Sequence, residues 1–178
     1  DASVEYTLGG ALMEPNVRVM TNQMGFCPEH FEKLKNGNNR LGLALILESH
    51  TDQILDNPVK AKVSDSCFIC SRVSEQIDKY YKNIIYLYKT EAAFRDKFRR
   101  KQNICLKHFE KLLAYAKKGL GGRIYRDFES DISSNLTKRL GEINQDLKKF
   151  IKSYDHRSDG KLTDEEKISV ERIIDFLS

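Results

Sequence analysis

Four cysteines and four histidines are the soft donor residues of this 178-residue chain, and six of the eight fall in pairs three positions apart. The pairs are Cys67 and Cys70 in "CFIC", Cys105 and His108 in "CLKH", and Cys27 and His30 in "CPEH". A tetrahedral zinc ion asks for this spacing: each pair places two ligands on one tight turn, and an intervening segment folds back to bring the second pair. Cys67, Cys70, Cys105 and His108 make a complete Cys3His set, and a filled shell leaves no position for water, which points to a structural site rather than a catalytic one. Zinc is the expected ion, with iron as the alternative. Cys67 and Cys70 could also be read as a redox dithiol, but no strand-helix-strand pattern surrounds them.

Cys27 and His30 form a half-site on this reading. Stepping back from Cys27 by the 35 residues that separate Cys70 from Cys105 lands ahead of Asp1, so the partners of Cys27 and His30 are expected upstream of residue 1. The alternative is an orphaned or open Cys/His site, free or shared between subunits.

Each pair should sit at the start of a helix. Pro28 suits a first helical turn, where its missing donor would be orphaned anyway, and the helix dipole at that end favours thiolate over thiol. Helical periodicity runs through almost every segment, with no convincing strand alternation, so the fold class is all-α. The clearest stripe, Ile124, Phe128, Ile132, Leu136, Leu140, Ile143, Leu147, Phe150 and Tyr154, predicts one helix of roughly thirty residues. Pro15 marks another first turn. "NGNN" at 36–39 and "KKGLGG" at 117–122 read as connections. Thr163 with Glu166 spells a capping box for a last helix carrying Ile168, Ile173, Ile174 and Leu177.

"CPEHFEKL" and "CLKHFEKL" lie 78 positions apart, and the Leu-Gly pairs beginning at Leu41 and Leu120 follow almost in phase. An internally duplicated helical protein follows. The expected organisation is a first repeat over 1–66, incomplete at its start, a second repeat with the full metal site over 67–154, and a C-terminal loop and helix over 155–178.

"GFCPEH", "CFIC", "ICLKH" and "FIKSYDHR" resemble the pattern of an uncharacterised family of anaerobic bacteria and archaea, the domain of unknown function numbered six-zero-six-two. The similarity spans essentially the whole chain. It implies an all-helical fold and, in members, a further Cys-x-x-Cys near the start; it lends no activity.

Composition supports a soluble globular chain, with 40% hydrophobic and 31% charged residues and three prolines. The longest apolar run, "LGLALIL" at 41–47, is too short to span a bilayer, and no charged-then-apolar leader opens the chain. A cytoplasmic protein without a membrane partner is expected, and its free thiols fit a reducing compartment. Residues 82–126 hold thirteen Lys and Arg against three Asp and Glu, net +10 in a chain of net +4. That asymmetry makes nucleic acid or another anionic partner a second reading, behind a solvated face. "DHRSDGKLTDEE" at 155–166 imitates a calcium loop, but Arg157 stands where an oxygen ligand is needed, so calcium is set aside in favour of a capped turn. No phosphate-cradling loop or serine elbow is present, and His50 beside Glu48 reads as surface polarity. The leading function is a zinc-stabilised binding or interaction module for an unspecified protein or small molecule. The competing reading is a metal-dependent or redox enzyme using Cys27 and His30 as an open site.

Overall fold

The computed structural model describes residues 2–56, 58, 66–100, 103–155 and 160–178. These form α-helices joined by short turns, with no strand among the described residues. None of the described helices is long and apolar enough to cross a membrane. The chain divides into two compact units, Asp1–Asp78 and Lys79–Ser178. The first therefore takes in Cys67 and Cys70, which the repeat pattern assigns to the second.

The first unit holds α1 (Ala2–Leu8), a 3-10 turn (Gly10–Met13), α2 (Pro15–Met24), α3 (Pro28–Lys35), α4 (Arg40–Asp56) and the start of α5 (Phe68–Thr90). Pro15 and Pro28 each occupy the first helical turn, as expected. The "NGNN" connection does more than turn the chain. Asn39 caps α4, its Oδ1 accepting from the Gly42 amide at 2.8 Å, while its Nδ2 donates to the Leu8 carbonyl at 2.7 Å and so ties α4 to α1. A Cβ on Gly42 would lie 2.5 Å from that Asn39 nitrogen and 2.8 Å from Leu12 Cδ2, so any larger residue there must displace both side chains. Val4, Leu8, Leu12, Phe26, Leu34, Ile46, Cys67, Phe68 and Ile69 form one buried cluster. Phe26 presents its ring edge-on to Phe31 and to Phe68. The Arg72 guanidinium lies 3.5 Å over the Tyr6 ring, joining α1 to the first turns of α5.

The second unit contains the rest of α5, then α6 (Ala92–Arg100), α7 (Leu106–Gly119), α8 (Gly122–Lys152), α9 (Asp164–Lys167) and α10 (Ser169–Leu177). The 31-residue α8 is the long helix its apolar stripe predicts, and it packs on α6, α7, α9 and α10. Phe128, Ile132 and Ile143 carry its burial. Tyr154 falls beyond its end and stands exposed. One carboxylate oxygen of Asp131 accepts from Tyr88 Oη at 2.6 Å and Arg99 Nε at 2.8 Å, which ties α5 and α6 to α8. α5 and α7 approach closely at Gly119, where a Cβ would meet Ile85 Cγ2 at 2.8 Å.

The C-terminal helix corrects one expectation. It breaks at Ile168 into α9 and α10, and its buried anchor is Phe176, while Ile168, Ile174 and Leu177 are exposed. The chain turns at the break, so a single stripe drawn through both pieces mixes two faces. The capping box is present in full: Thr163 Oγ1 accepts from the Glu166 amide, and Glu166 Oε2 accepts from the Thr163 amide at 2.7 Å. Arg157 and Asp159 of the calcium-like loop lie outside the described residues.

Removing the cap in Thr163→Ala is expected to cost about 1 kcal/mol, read as an earlier midpoint in urea unfolding. Lys149 Nζ, bonded at 2.7 Å, and the Thr163 amide hold the Glu166 carboxyl below its ordinary range. Its stabilisation is therefore in place above the usual glutamate pKa and is lost as pH falls through the lower folded value. The stability gap between the wild type and Glu166→Gln should accordingly close in acid.

Candidate metal centre

Two helix starts in the first unit use the same device. Cys27 is the N-cap of α3 with extended backbone (φ −74°, ψ 162°), Pro28 takes the first turn, and the Cys27 carbonyl accepts from the Phe31 amide at 2.9 Å. His30 follows three residues on, so sulfur and imidazole emerge on one side of the turn. Cys67 stands just before Phe68, the first residue of α5, its carbonyl accepts from the Ser71 amide at 2.9 Å, and Cys70 sits one turn later.

A short stretch around Gly25 sets these two starts side by side. The Gly25 amide donates to the Thr21 carbonyl at 2.9 Å and ends α2, while the Gly25 carbonyl accepts from the Phe68 amide at 3.0 Å. Ser66 Oγ reaches the Met24 carbonyl. Gly25 adopts φ 59° and ψ −154°, a conformation open essentially to glycine alone. His50, half-buried, shares a 2.8 Å hydrogen bond between its Nδ1 and the Asn22 carbonyl, and its ring would lie 3.3 Å from any Cβ at Gly25. His50 is thus packed against the Gly25 turn rather than being surface polarity. The glycine in "MGFCP" was the only sequence signal for this turn, and it carries none for His50.

The consequence is a convergence of four donors. Cys27, His30, Cys67 and Cys70 each offer one ligand atom, all within 4.8 Å of one another. His30 Nδ1 stands 3.2 Å from Cys27 Sγ, 3.5 Å from Cys67 Sγ and 3.4 Å from Cys70 Sγ, and Cys27 and Cys70 Sγ are 3.9 Å apart. Zinc bonds of about 2.3 Å to sulfur and about 2.0 Å to nitrogen give a tetrahedron with S···S edges of about 3.8 Å and S···N edges of about 3.5 Å. The donor set therefore fits a tetrahedral divalent ion with little movement. Cys67 is buried in the core, His30 is nearly so, Cys27 is half-buried and Cys70 is exposed.

The thiols already share charge unevenly. Burial pushes the Cys67 thiol up, but the Cys70, Cys27 and Ile69 amides and the Cys70 thiol outweigh it and hold Cys67 low. Burial, and then the neighbouring Cys67 and Cys27 sulfurs, push Cys70 up to about 12. Lys33, bonded to Glu29 at 2.7 Å, is raised by that bond and also by the Cys27 and Cys70 sulfurs. It supplies a cation beside a group that carries excess negative charge when three thiolates surround a divalent ion.

The grouping differs from the one expected for a complete site. Cys67 and Cys70 are gathered with Cys27 and His30, which thereby find partners downstream rather than ahead of residue 1. Cys105 and His108 stand in the second unit as a pair, Sγ to Nδ1 3.2 Å, with the His108 ring 6.1 Å from that of Tyr81. Among the described residues they belong to no group of three or more such donors. The physical reason is the Gly25–Phe68 hydrogen bond and the Phe26–Phe68 contact, which seat the start of α5 beside that of α3.

Cys105 nonetheless repeats the first half-site locally: an extended N-cap (φ −83°, ψ 168°), histidine one turn on, and a buried leucine at the end of the octapeptide, Leu112 matching Leu34. Beyond the octapeptide the likeness stops. α3 ends at Lys35, whereas α7 runs on to Gly119, and Leu41 is exposed where Leu120 is buried.

The model of a family of unknown function, DUF6062, matches residues 1–64 and 57–178. The chain belongs to the DUF6062 family. No curated protein and no solved structure matches it. Within this DUF6062 member, the Gly25 turn is the part of the centre most exposed to a single substitution. Gly25→Ala should cost about 1–3 kcal/mol through the strained backbone alone, and should weaken the hold on any metal ion that Cys27 and Cys67 share. Thermal unfolding and competitive metal titration of the variant check both.

Proposed function

We propose that Cys27, His30, Cys67 and Cys70 hold one zinc ion as a structural clasp, and that the protein is a metal-stabilised interaction module. The observation that carries this is a set of four donors all within 4.8 Å of one another, with His30 Nδ1 3.2–3.5 Å from each sulfur, borne on two helix starts already joined through a backbone hydrogen bond. Zinc supplies a divalent charge that three neighbouring thiolates need and tolerates the tetrahedral arrangement without electronic preference. The chain's residues do the rest. Cys67 anchors the ion to the core, His30 fills the corner facing all three sulfurs, and Lys33 offsets residual charge. Four protein donors occupy every position of the shell, which favours a fold-holding role over turnover.

Because the ion would bind the folded chain and only weakly the unfolded one, metal removal should destabilise the first unit. The expected content is one zinc per chain. Cys27→Ser and Cys67→Ser should each lose it and lower the unfolding temperature, whereas Cys105→Ser should keep it. The opposite pattern, with metal lost in Cys105→Ser and His108→Ala but kept in Cys27→Ser, would transfer the site to Cys67, Cys70, Cys105 and His108. Soft thiolate-rich sites also accept iron. Protein as purified from cells grown with both metals should be colourless, and strong visible absorption would decide for iron.

A further inference from the structure

Helix α6 carries Arg95, Lys97, Arg99 and Arg100 against one acid, Asp96. Its cations are not equally engaged. Arg99 is committed to Asp131 at 2.8 Å and lies 3.7 Å from Asp96. Lys97 and Arg100 have no carboxylate within ion-pair distance among the described residues. They border a recess of about 490 Å3 that is also lined, among the described residues, by Phe94 and Phe98. That volume lies within the roughly 300–1,000 Å3 usual for small-ligand sites.

Both phenylalanines are half-buried, and they stand at successive depths of one aromatic column. Phe98 stacks on the fully buried Phe128 (5.2 Å between centroids, 22° between planes) and meets the fully buried Tyr88 edge-on at 5.5 Å. It joins the column to the core while staying half-buried itself. Phe94 extends the column away from Phe128, stacked on Phe98 at 5.9 Å and 27° and likewise half-buried. Phe94 borders this recess beside Lys97 and Arg100, which have no carboxylate partner among the described residues. A planar ring on a rigid stack beside positive charge is how proteins hold an unpaired base and its phosphate. The surrounding segment, 82–126, carries net +10, more than one nucleotide calls for and suited to a polyanion.

We propose that the outer face of α6 binds single-stranded nucleic acid, with a base stacked on Phe94 and adjoining phosphates held by Lys97 and Arg100. A duplex presents phosphates but no free base face, so the stacking half of the site selects for unpaired strands.

Fluorescence anisotropy of the intact protein with labelled oligouridylate and oligothymidylate tests this, with a duplex, ATP and heparin as competitors. Affinity should fall steeply with salt. Joint replacement Lys97→Gln and Arg100→Gln should reduce the log-log salt slope by about 1.4, at roughly 0.7 per phosphate contact on a single strand. Phe94→Leu should weaken binding about tenfold while leaving the salt slope unchanged. Its thermal unfolding is measured alongside, and if that variant is destabilised the slope change of the double variant decides. No binding at low salt would overturn the proposal, as would an unchanged affinity in a folded Phe94→Leu. Equal competition by the duplex or heparin would reduce the face to charge alone, and ATP binding as tightly as the oligonucleotide would assign the recess to free nucleotides; either result overturns it.

Discussion

Three sulfurs and an imidazole nitrogen within a few ångströms of one another are an arrangement that ionised thiols resist, and the first unit is organised around that crowding. Without a cation the cluster must keep protons: burial and then the Cys67 and Cys27 sulfurs push Cys70 up to about 12, while amide hydrogen bonds hold Cys67 low. A divalent ion turns the same crowding into attraction. The elements that impose it are inexpensive individually: a glycine turn, one backbone hydrogen bond from Phe68 to Gly25, an edge-on contact of Phe26 with Phe68 and a cation over Tyr6. Together they fix the starts of α3 and α5 so that side chains three residues apart on each meet.

Much of this was legible because it is local. Proline at a first turn, a Thr-x-x-Glu cap and an apolar stripe over thirty residues depend on neighbours within a turn or two, and α2, α3, α8 and α9 begin or run where those signals place them. The donor pairs were legible for the same reason, since a Cys-x-x-Cys or Cys-x-x-His pair presents two donors on one turn whatever lies elsewhere. Which pair meets which was not legible. The segments to be closed are almost equal, 37 residues from His30 to Cys67 and 35 from Cys70 to Cys105. Loop-closure cost changes only logarithmically with length, so a difference of two residues decides nothing. The choice made in the structure comes from non-local packing of Phe26, Phe68 and the Gly25 carbonyl. None of these carries a periodic signature.

The octapeptide repeat separates in the same way. Its first four residues dictate a local geometry, cysteine as an extended N-cap and histidine on the first turn, and both copies obey it to within a few degrees of backbone and with the same 3.2 Å Sγ–Nδ1 separation. The continuation does not follow, because helix length is set by what each helix packs against. α3 is stopped by the Asn-rich turn that caps α4 and grips Leu8, while α7 continues against α8 until Gly119 lets Ile85 approach. Equal motifs on unequal helices leave the question of common descent to something other than the fold.

Cys67 shows why the centre and the core of the first unit cannot be treated as separate objects. It belongs to the buried cluster with Leu34, Ile46, Phe68 and Ile69, and the same sulfur faces His30 Nδ1 at 3.5 Å. A buried cysteine with only apolar neighbours is a small hydrophobe whose thiol stays protonated. Amide donors from Cys27, Ile69 and Cys70 point at this one instead and draw it toward the thiolate. Those donors exist because two helices begin there with their first amides unpaired. The helix starts thus polarise the ligand that the core holds in place. The solvent-facing Cys70 completes the set of four donors at its outer edge.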